Sequence, residues 1–147
     1  MPCRCLFLEE FMIFVNTTPQ TLAAAGDAVV FNTNTQARCN PNIRHRIGSG
    51  IITVRGSGCA CNPARYRVSF HGNITGVAGQ VQLGIYLNGE LLPETVMSIF
   101  AAAATNVISV DDETEITADF GDSTISVRTL TPGITVNTAS LIVERKA

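Results

Sequence analysis

Charge is scarce in this chain. Charged residues fill 15% of the 147 positions, the net charge is −2, and the basic residues are nine arginines and a single lysine. The arginines are scattered and form no basic tract, which excludes the usual electrostatic footprint of a nucleic-acid-binding protein. No apolar run reaches the length needed to span a membrane. The N-terminal LFLEEFMIFV is interrupted by Glu9 and Glu10, and Asn16-Thr17-Thr18-Pro19 is no small-residue cleavage site, so a secretory signal is not expected. The sequons Asn16-Thr17-Thr18 and Asn73-Ile74-Thr75 carry little meaning without a secretory route. If the protein reaches an exterior, assembly inside a cell followed by release is the expected path. Helical periodicity is nearly absent as well. Disorder is excluded, because apolar residues make up 46% of the chain.

Signatures of chemistry are equally thin. Only two histidines occur, His45 and His71, and no G-x-S-x-G setting accompanies them. A serine with His71 and an acid such as Asp119 is a weaker reading than a histidine on a polar sheet face. No C-x-x-C opens a helix, so a thioredoxin-like role is not expected. Cys39, His45, Cys59 and Cys61 are possible zinc ligands by type, but neither C-x2-C nor H-x3-H spacing appears. The acidic run Asp111-Asp112-Glu113, with Glu115, lacks the order of a calcium loop and reads as a solvated turn between strands. No enzyme activity, metal or cofactor is expected.

What is present is alternation. Runs of apolar and polar residues with period two are closed by Gly, Asn, Asp or Pro at 11–16, 20–24, 28–33, 43–47, 50–55, 65–75, 80–88, 92–99, 105–110, 114–119, 123–129 and 135–145. Asn88-Gly89 is a strong hairpin signal, since both residues tolerate positive φ. In 65–75, Tyr66, Val68, Phe70 and Ile74 face one way, while Arg65, Arg67, Ser69, His71 and Asn73 face the other. Such strands belong to sheets with one face in a core, and many of them together predict an all-β sandwich or barrel. Phe100 to Thr105, with four alanines, reads as a loop over the sandwich end. Residues 1–13 read as an N-terminal arm and 14–147 as the β domain.

The five cysteines are Cys3, Cys5, Cys39, Cys59 and Cys61. An odd number cannot all pair within one chain. Cysteines two apart seldom bond to each other, because the small ring strains the bridge. Arm-to-body bridging between chains is one reading, with Cys3 and Cys5 of one copy reaching Cys39, Cys59 or Cys61 of another. Unpaired thiols are the competing one. The arm also carries Phe7, Leu8, Phe11 and Met12, an apolar set that needs cover on its own domain or on a neighbour.

AGQVQLGIYLNGELLP (78–93), Ala28-Val29-Val30-Phe31-Asn32, Ala64-Arg65-Tyr66-Arg67-Val68-Ser69-Phe70 and the closing VNTASLIVERK (136–146) together resemble a bacterial and phage jelly-roll family. That family is akin to the globular heads of complement component and tumour necrosis factor. Its members include the head of the collagen-like glycoprotein on bacterial spores and small cysteine-containing clostridial proteins. The resemblance implies a ten-stranded, two-sheet jelly roll that forms a homotrimer. It also implies that the sheet with the long central and final strands lies against neighbouring subunits. Arg65, Arg67 and His71 would then approach the threefold axis or its flank, with Glu144 and Asp119 as counter-charges and an Arg67–Glu144 contact expected. No Gly-X-Y stalk precedes the domain here, so the arm is expected to make the connection.

The resulting expectation is a self-assembling structural subunit of an exterior surface layer or filament, such as a spore appendage. Its partner would be itself, as a trimer and then as a higher-order assembly. A phage head fibre or capsid decoration protein is the alternative of the same class. A trimeric module that binds a host glycan or protein through loops 34–44, 56–64 and 98–106 is the alternative of another class.

Overall fold

The computed structural model describes residues 11–35, 42–58, 63–118 and 121–146. Among them stand twelve strands: β1 (Phe11–Asn16), β2 (Gln20–Leu22), β3 (Thr33–Thr35), β4 (Ile43–His45), β5 (Ile52–Val54), β6 (Ala64–Thr75), β7 (Gly79–Leu87), β8 (Glu90–Leu91), β9 (Met97–Ala101), β10 (Ile108–Ala118), β11 (Ser123–Thr129) and β12 (Ile134–Lys146). A single 3-10 turn, Pro93–Thr95, links β8 to β9. No helix among the described residues is long and apolar enough to cross a membrane.

The strands form two antiparallel sheets of six. The first runs β10-β6-β12-β1-β3, with β2 also on β12; the second runs β4-β5-β11-β7-β8, with β9 also on β7. Sequence-distant strands are neighbours throughout, as in a jelly roll. β6 alternates without a break over twelve residues, and Tyr66, Val68, Phe70 and Ile74 are buried. They share the core with Leu141 and Val143 from β12 and with Ile52, Leu83, Ile85, Ile125 and Val127 from the second sheet. Each such side chain contributes about 1.5–3 kcal/mol on burial. The buried Tyr66 hydroxyl donates to the Arg55 carbonyl at 2.6 Å, so its polar end is satisfied inside the core. Buried Thr95 does the same work at the 3-10 turn: its Oγ1 accepts the Ile85 N–H at 2.9 Å and donates to the Leu92 carbonyl at 2.7 Å.

Most expected strands form, and the departures have local causes. Asn88 (φ 53°) and Gly89 (φ 82°) make the expected tight hairpin between β7 and β8, where Leu87 faces Glu90. The resemblance implies ten strands, and twelve are found among the described residues, two of them, β2 and β8, only three and two residues long. Residues 28–33 do not form one strand; Val29 and Phe31 are buried, but only a bridge from Ala28 to Arg128 precedes β3. Residues 92–99 are broken by Pro93, which has no N–H to donate to a ladder. β9 continues through Ala101, into the segment expected to be loop.

The two runs at 105–110 and 114–119 are one strand, β10, and the acidic run lies inside it rather than in a turn. β10 is an edge strand, and its acidic positions pair along their whole length with β6. Charged residues are well suited to a sheet edge, where they discourage pairing with foreign strands. At the N-terminus, β1 begins at Phe11, so Phe11–Ile13 belong to the sheet rather than to an arm ending at residue 13.

The connections divide between the two ends of the sandwich. Residues 22–28, 75–79, 101–108 and 129–134 cross between the sheets at one end. They are tied to one another by Gly76 N–H to Ala104 O (2.9 Å), Gly133 N–H to Leu22 O (2.8 Å) and Gly26 N–H to Thr129 O (2.8 Å). Residues 35–43, 54–64 and 118–123 cross at the other end. Phe11, opposite Glu144, and Lys146, opposite Arg65, stand toward that second end too.

Candidate assembly surface

The outer face of the first sheet is built by alternation in four adjacent strands. Register places its side chains in rows that run β10, β6, β12, β1. One row is Asp111, His71, Ser140 and Val15; the next is Glu113, Ser69, Ile142 and Ile13; the third is Glu115, Arg67, Glu144 and Phe11. The face therefore grades from acidic on β10, through basic on β6, to apolar on β1. Phe11, Ile13 and Val15 are half-buried, and Ile142 is 38% exposed.

The charged half is paired within itself. Arg67 Nε lies 3.0 Å from Glu113 Oε1, and Arg65 Nη1 lies 3.8 Å from Glu115 Oε1. Both contacts are diagonal, because Arg67 stands directly opposite Glu115 and Arg65 opposite Thr117. Ser69 Oγ donates to Glu113 at 3.4 Å, and Asn73 joins Thr138 and Ser109 at 2.9 Å each. The expected Arg67–Glu144 ion pair is replaced by Arg67–Glu113. Glu144 stands opposite Arg67 in register on the same face, but its Oε1 lies 4.0 Å from Lys146 Nζ. The acidic run supplies the partners that sequence reasoning sought on Glu144 and Asp119. Its signal was present as Glu113 and Glu115, two apart, in phase with Arg65 and Arg67.

His71 sits in an open depression of about 470 Å3 with Ser69, Asp111, Glu113, Ser140 and Ile142. Ser140, His71 and Asp111 share a row, yet His71 makes no hydrogen bond with any described residue. Activation of a serine needs that bond. His45 is different: Nδ1 lies 2.7 Å from Asn34 Oδ1 and Nε2 lies 2.8 Å from the Ser49 carbonyl, with Phe14 edge-on at 4.8 Å. Both ring nitrogens are thus occupied by protein oxygens, and in this arrangement neither is offered to a metal. Among the described residues no group of His, Cys, Asp and Glu is arranged to hold a metal ion.

Met12 is only 7% exposed and packs into the core of its own chain, so it is not available to dock on a neighbour. Phe11 lies on the outer face described above. Phe7, Leu8, Asp119 and all five cysteines (Cys3, Cys5, Cys39, Cys59, Cys61) lie outside the described residues. The described residues that flank the cysteine segments are Phe11, Thr35, Asn42, Gly58 and Pro63, and the topology brings them to one end of the sandwich. Loops 34–44, 56–64 and 98–106 do not form one rim, because the third belongs to the opposite end from the other two.

No family model and no curated protein matches the chain. Solved structures do. The globular domain of zebrafish complement 1qA protein is similar at TM-score 0.62 and 15% identity, covering 93% of this chain and 96% of that one. Murine APRIL is similar at TM-score 0.67 and 11% identity, over 95% of this chain and 99% of that one. Eiger TNF from S. frugiperda is similar at TM-score 0.65 and 10% identity, over 96% of this chain and 94% of that one. At these identities the likeness establishes the fold: a two-sheet jelly roll of the complement and tumour-necrosis-factor type.

Proposed function

We propose that this protein is the homotrimeric structural subunit of an exterior layer or filament, such as a spore appendage. Its trimers are joined through the N-terminal arm and by disulfides among Cys3, Cys5, Cys39, Cys59 and Cys61. The observation that carries the reading is the apolar stripe of Phe11, Ile13, Val15 and Ile142 on the outer face of a sheet, half-buried on β1 and 38% exposed at Ile142, beside a self-paired charged half. A stripe of this kind asks for a covering surface. A threefold assembly gathers like charges about an axis, and that is tolerable when each copy neutralises its own arginines. Arg65 and Arg67 meet this condition through Glu115 and Glu113. The trimer is what the resemblance to complement and tumour-necrosis-factor heads implies.

The shared end of the cysteine segments supports covalent joining between units. Cysteines on segments that flank one pole can meet those of neighbouring copies at that same pole, as around a threefold axis, and interchain bridges there lock an assembly that apolar contacts have already formed. A phage head fibre or decoration protein would be built the same way. The receptor reading keeps two of its three loops, 34–44 and 56–64, toward one end, with 98–106 at the other.

The test is the mass of the purified protein in solution, followed by boiled electrophoresis with and without reductant. Trimers in solution and a covalent ladder that collapses to monomer only on reduction are the expected results. A monomer at all concentrations would remove the reading. Negative-stain images of long regular polymers would support a filament, and discrete trimers that adhere to cells would turn the reading toward a binding module.

A further inference from the structure

We infer that the charge-poor end of the sandwich is the docking surface for residues Leu6–Leu8 of a second copy, so that assembly is axial and head-to-tail. This inference rests on the structural reading above and names the receptor that the arm requires. The connections at that end, 22–28, 75–79, 101–108 and 129–134, hold one charged side chain, Asp27. Phe100 is 73% exposed and Val107 64% exposed, and Ala23, Ala24, Ala25, Ala102, Ala103 and Ala104 are exposed around them. Asp27 is the nearest acid, and its carboxylate accepts the Ala24 N–H at 3.0 Å. The half-buried Arg128 guanidinium lies over the outer face of the second sheet, donating to Gly26 O at 3.2 Å and lying 5.5 Å from the Tyr86 ring. The opposite end is charged, with exposed Arg44 paired to Asp122 and Arg55 and Glu90 exposed.

The occupant follows from reach. The first described residue of β1, Phe11, is level with Glu144 and Arg67. From that level the charge-poor end is at least the eight residues from Arg67 to Thr75 away along β6, about 26 Å at strand rise. Phe7 is four residues from Phe11 and Leu6 is five, so a fully extended chain carries them at most about 14 and 18 Å. The run Cys5-Leu6-Phe7-Leu8 therefore cannot reach the charge-poor end of its own sandwich. It can reach that of a copy stacked beyond its own charged end. The pairing is chemically matched: a charge-free apolar run, bounded by Arg4 and Glu9, meets a surface of exposed Phe100, Val107 and alanines whose nearest charges, Asp27 and Arg128, are both hydrogen-bonded to backbone.

The test uses the full-length protein under reducing conditions, where disulfides cannot hold the assembly, and reads polymer length by sedimentation velocity. Phe100→Asp with Val107→Asp alters exposed positions only, and Phe7→Asp with Leu8→Asp alters the arm. Each double variant is expected to sediment as single trimers while the unaltered protein forms chains. Removing one buried aromatic anchor usually weakens a contact by about thirtyfold or more. Mixed together, the two variants are expected to yield pairs of trimers and nothing longer, because only one joint in each pair is intact. Chains of undiminished length from the Phe100/Val107 variant would overturn the inference. So would unaltered protein that stops at trimers, a result that leaves the trimer reading standing. Monomers throughout would overturn both. Circular dichroism of each variant confirms that the sandwich is intact.

Discussion

Replacing Ile142 with aspartate tests the proposed threefold contact at its centre. Ile142 lies between Ser69 and Ile13 in register, on the face where the charged and apolar halves meet. It is 38% exposed in the single chain. Full burial of such a side chain is worth about 1.5–3 kcal/mol, so covering the remaining part contributes about 0.6–1.1 kcal/mol per copy. Three symmetric copies together supply about 2–3 kcal/mol. At about 1.4 kcal/mol per tenfold, alanine at this position should weaken trimer formation by about 30- to 150-fold. Aspartate should weaken it further, because three carboxylates would be brought together out of water. The change points away from the core, so the fold of the single chain should be nearly unaffected. Native mass spectrometry across a dilution series gives the trimer fraction, and circular dichroism reports the fold. Trimers of unchanged stability in the aspartate variant would refute the assignment of this face to the contact.

Other outcomes follow from single contacts. Thr95→Val keeps the shape but removes the hydroxyl that serves the Ile85 N–H and the Leu92 carbonyl; the carbonyl keeps the Thr95 N–H at 3.0 Å, and the buried Ile85 N–H left unpaired should cost about 2 kcal/mol. Thermal unfolding should show a melting temperature lower by about 4–8 °C, at the usual 2–4 °C per kcal/mol for a domain of this size. Gly76→Ala should also destabilise: the residue has φ of 105°, and a Cβ there would stand 3.2 Å from the Gly133 carbonyl oxygen. The loss should be about 1 kcal/mol or more and should be visible in urea unfolding as a lower midpoint with an unchanged slope. Glu113→Gln removes the 3.0 Å partner of Arg67. In the single chain this exposed pair is worth at most about 1 kcal/mol, so unfolding should barely move. If the face is covered in a trimer, Arg67 becomes an uncompensated buried charge, and trimer dissociation should shift far more than monomer unfolding does.

Much of the fold was legible because alternation with period two is a direct record of a one-sided core. The long strands β6 and β12 and the exact span of β1 and β11 follow from it, and so does the hairpin at Asn88-Gly89. The acidic run was misread because Asp and Glu are rare in strands generally and mark turns; only the edge position of β10 makes them suitable there. The break at Pro93 was a local signal, since proline has no N–H to donate to a ladder and the run 92–99 crosses it.

The amino-acid order alone determined that the chain is all-β, poor in charge, and supplied with cysteines in two closely spaced pairs and one single position. Those properties are local, set by side-chain type and spacing. Tertiary structure alone decided which acids meet Arg65 and Arg67, that Met12 belongs to the core, and that the cysteine segments share one pole while the alanine-rich loops share the other. Each of these depends on which distant strands become neighbours and in what register, and for the cysteine segments it is the described flanking residues Phe11, Thr35, Asn42, Gly58 and Pro63 that are so placed; period-two alternation is the same for every register that keeps the apolar face inward.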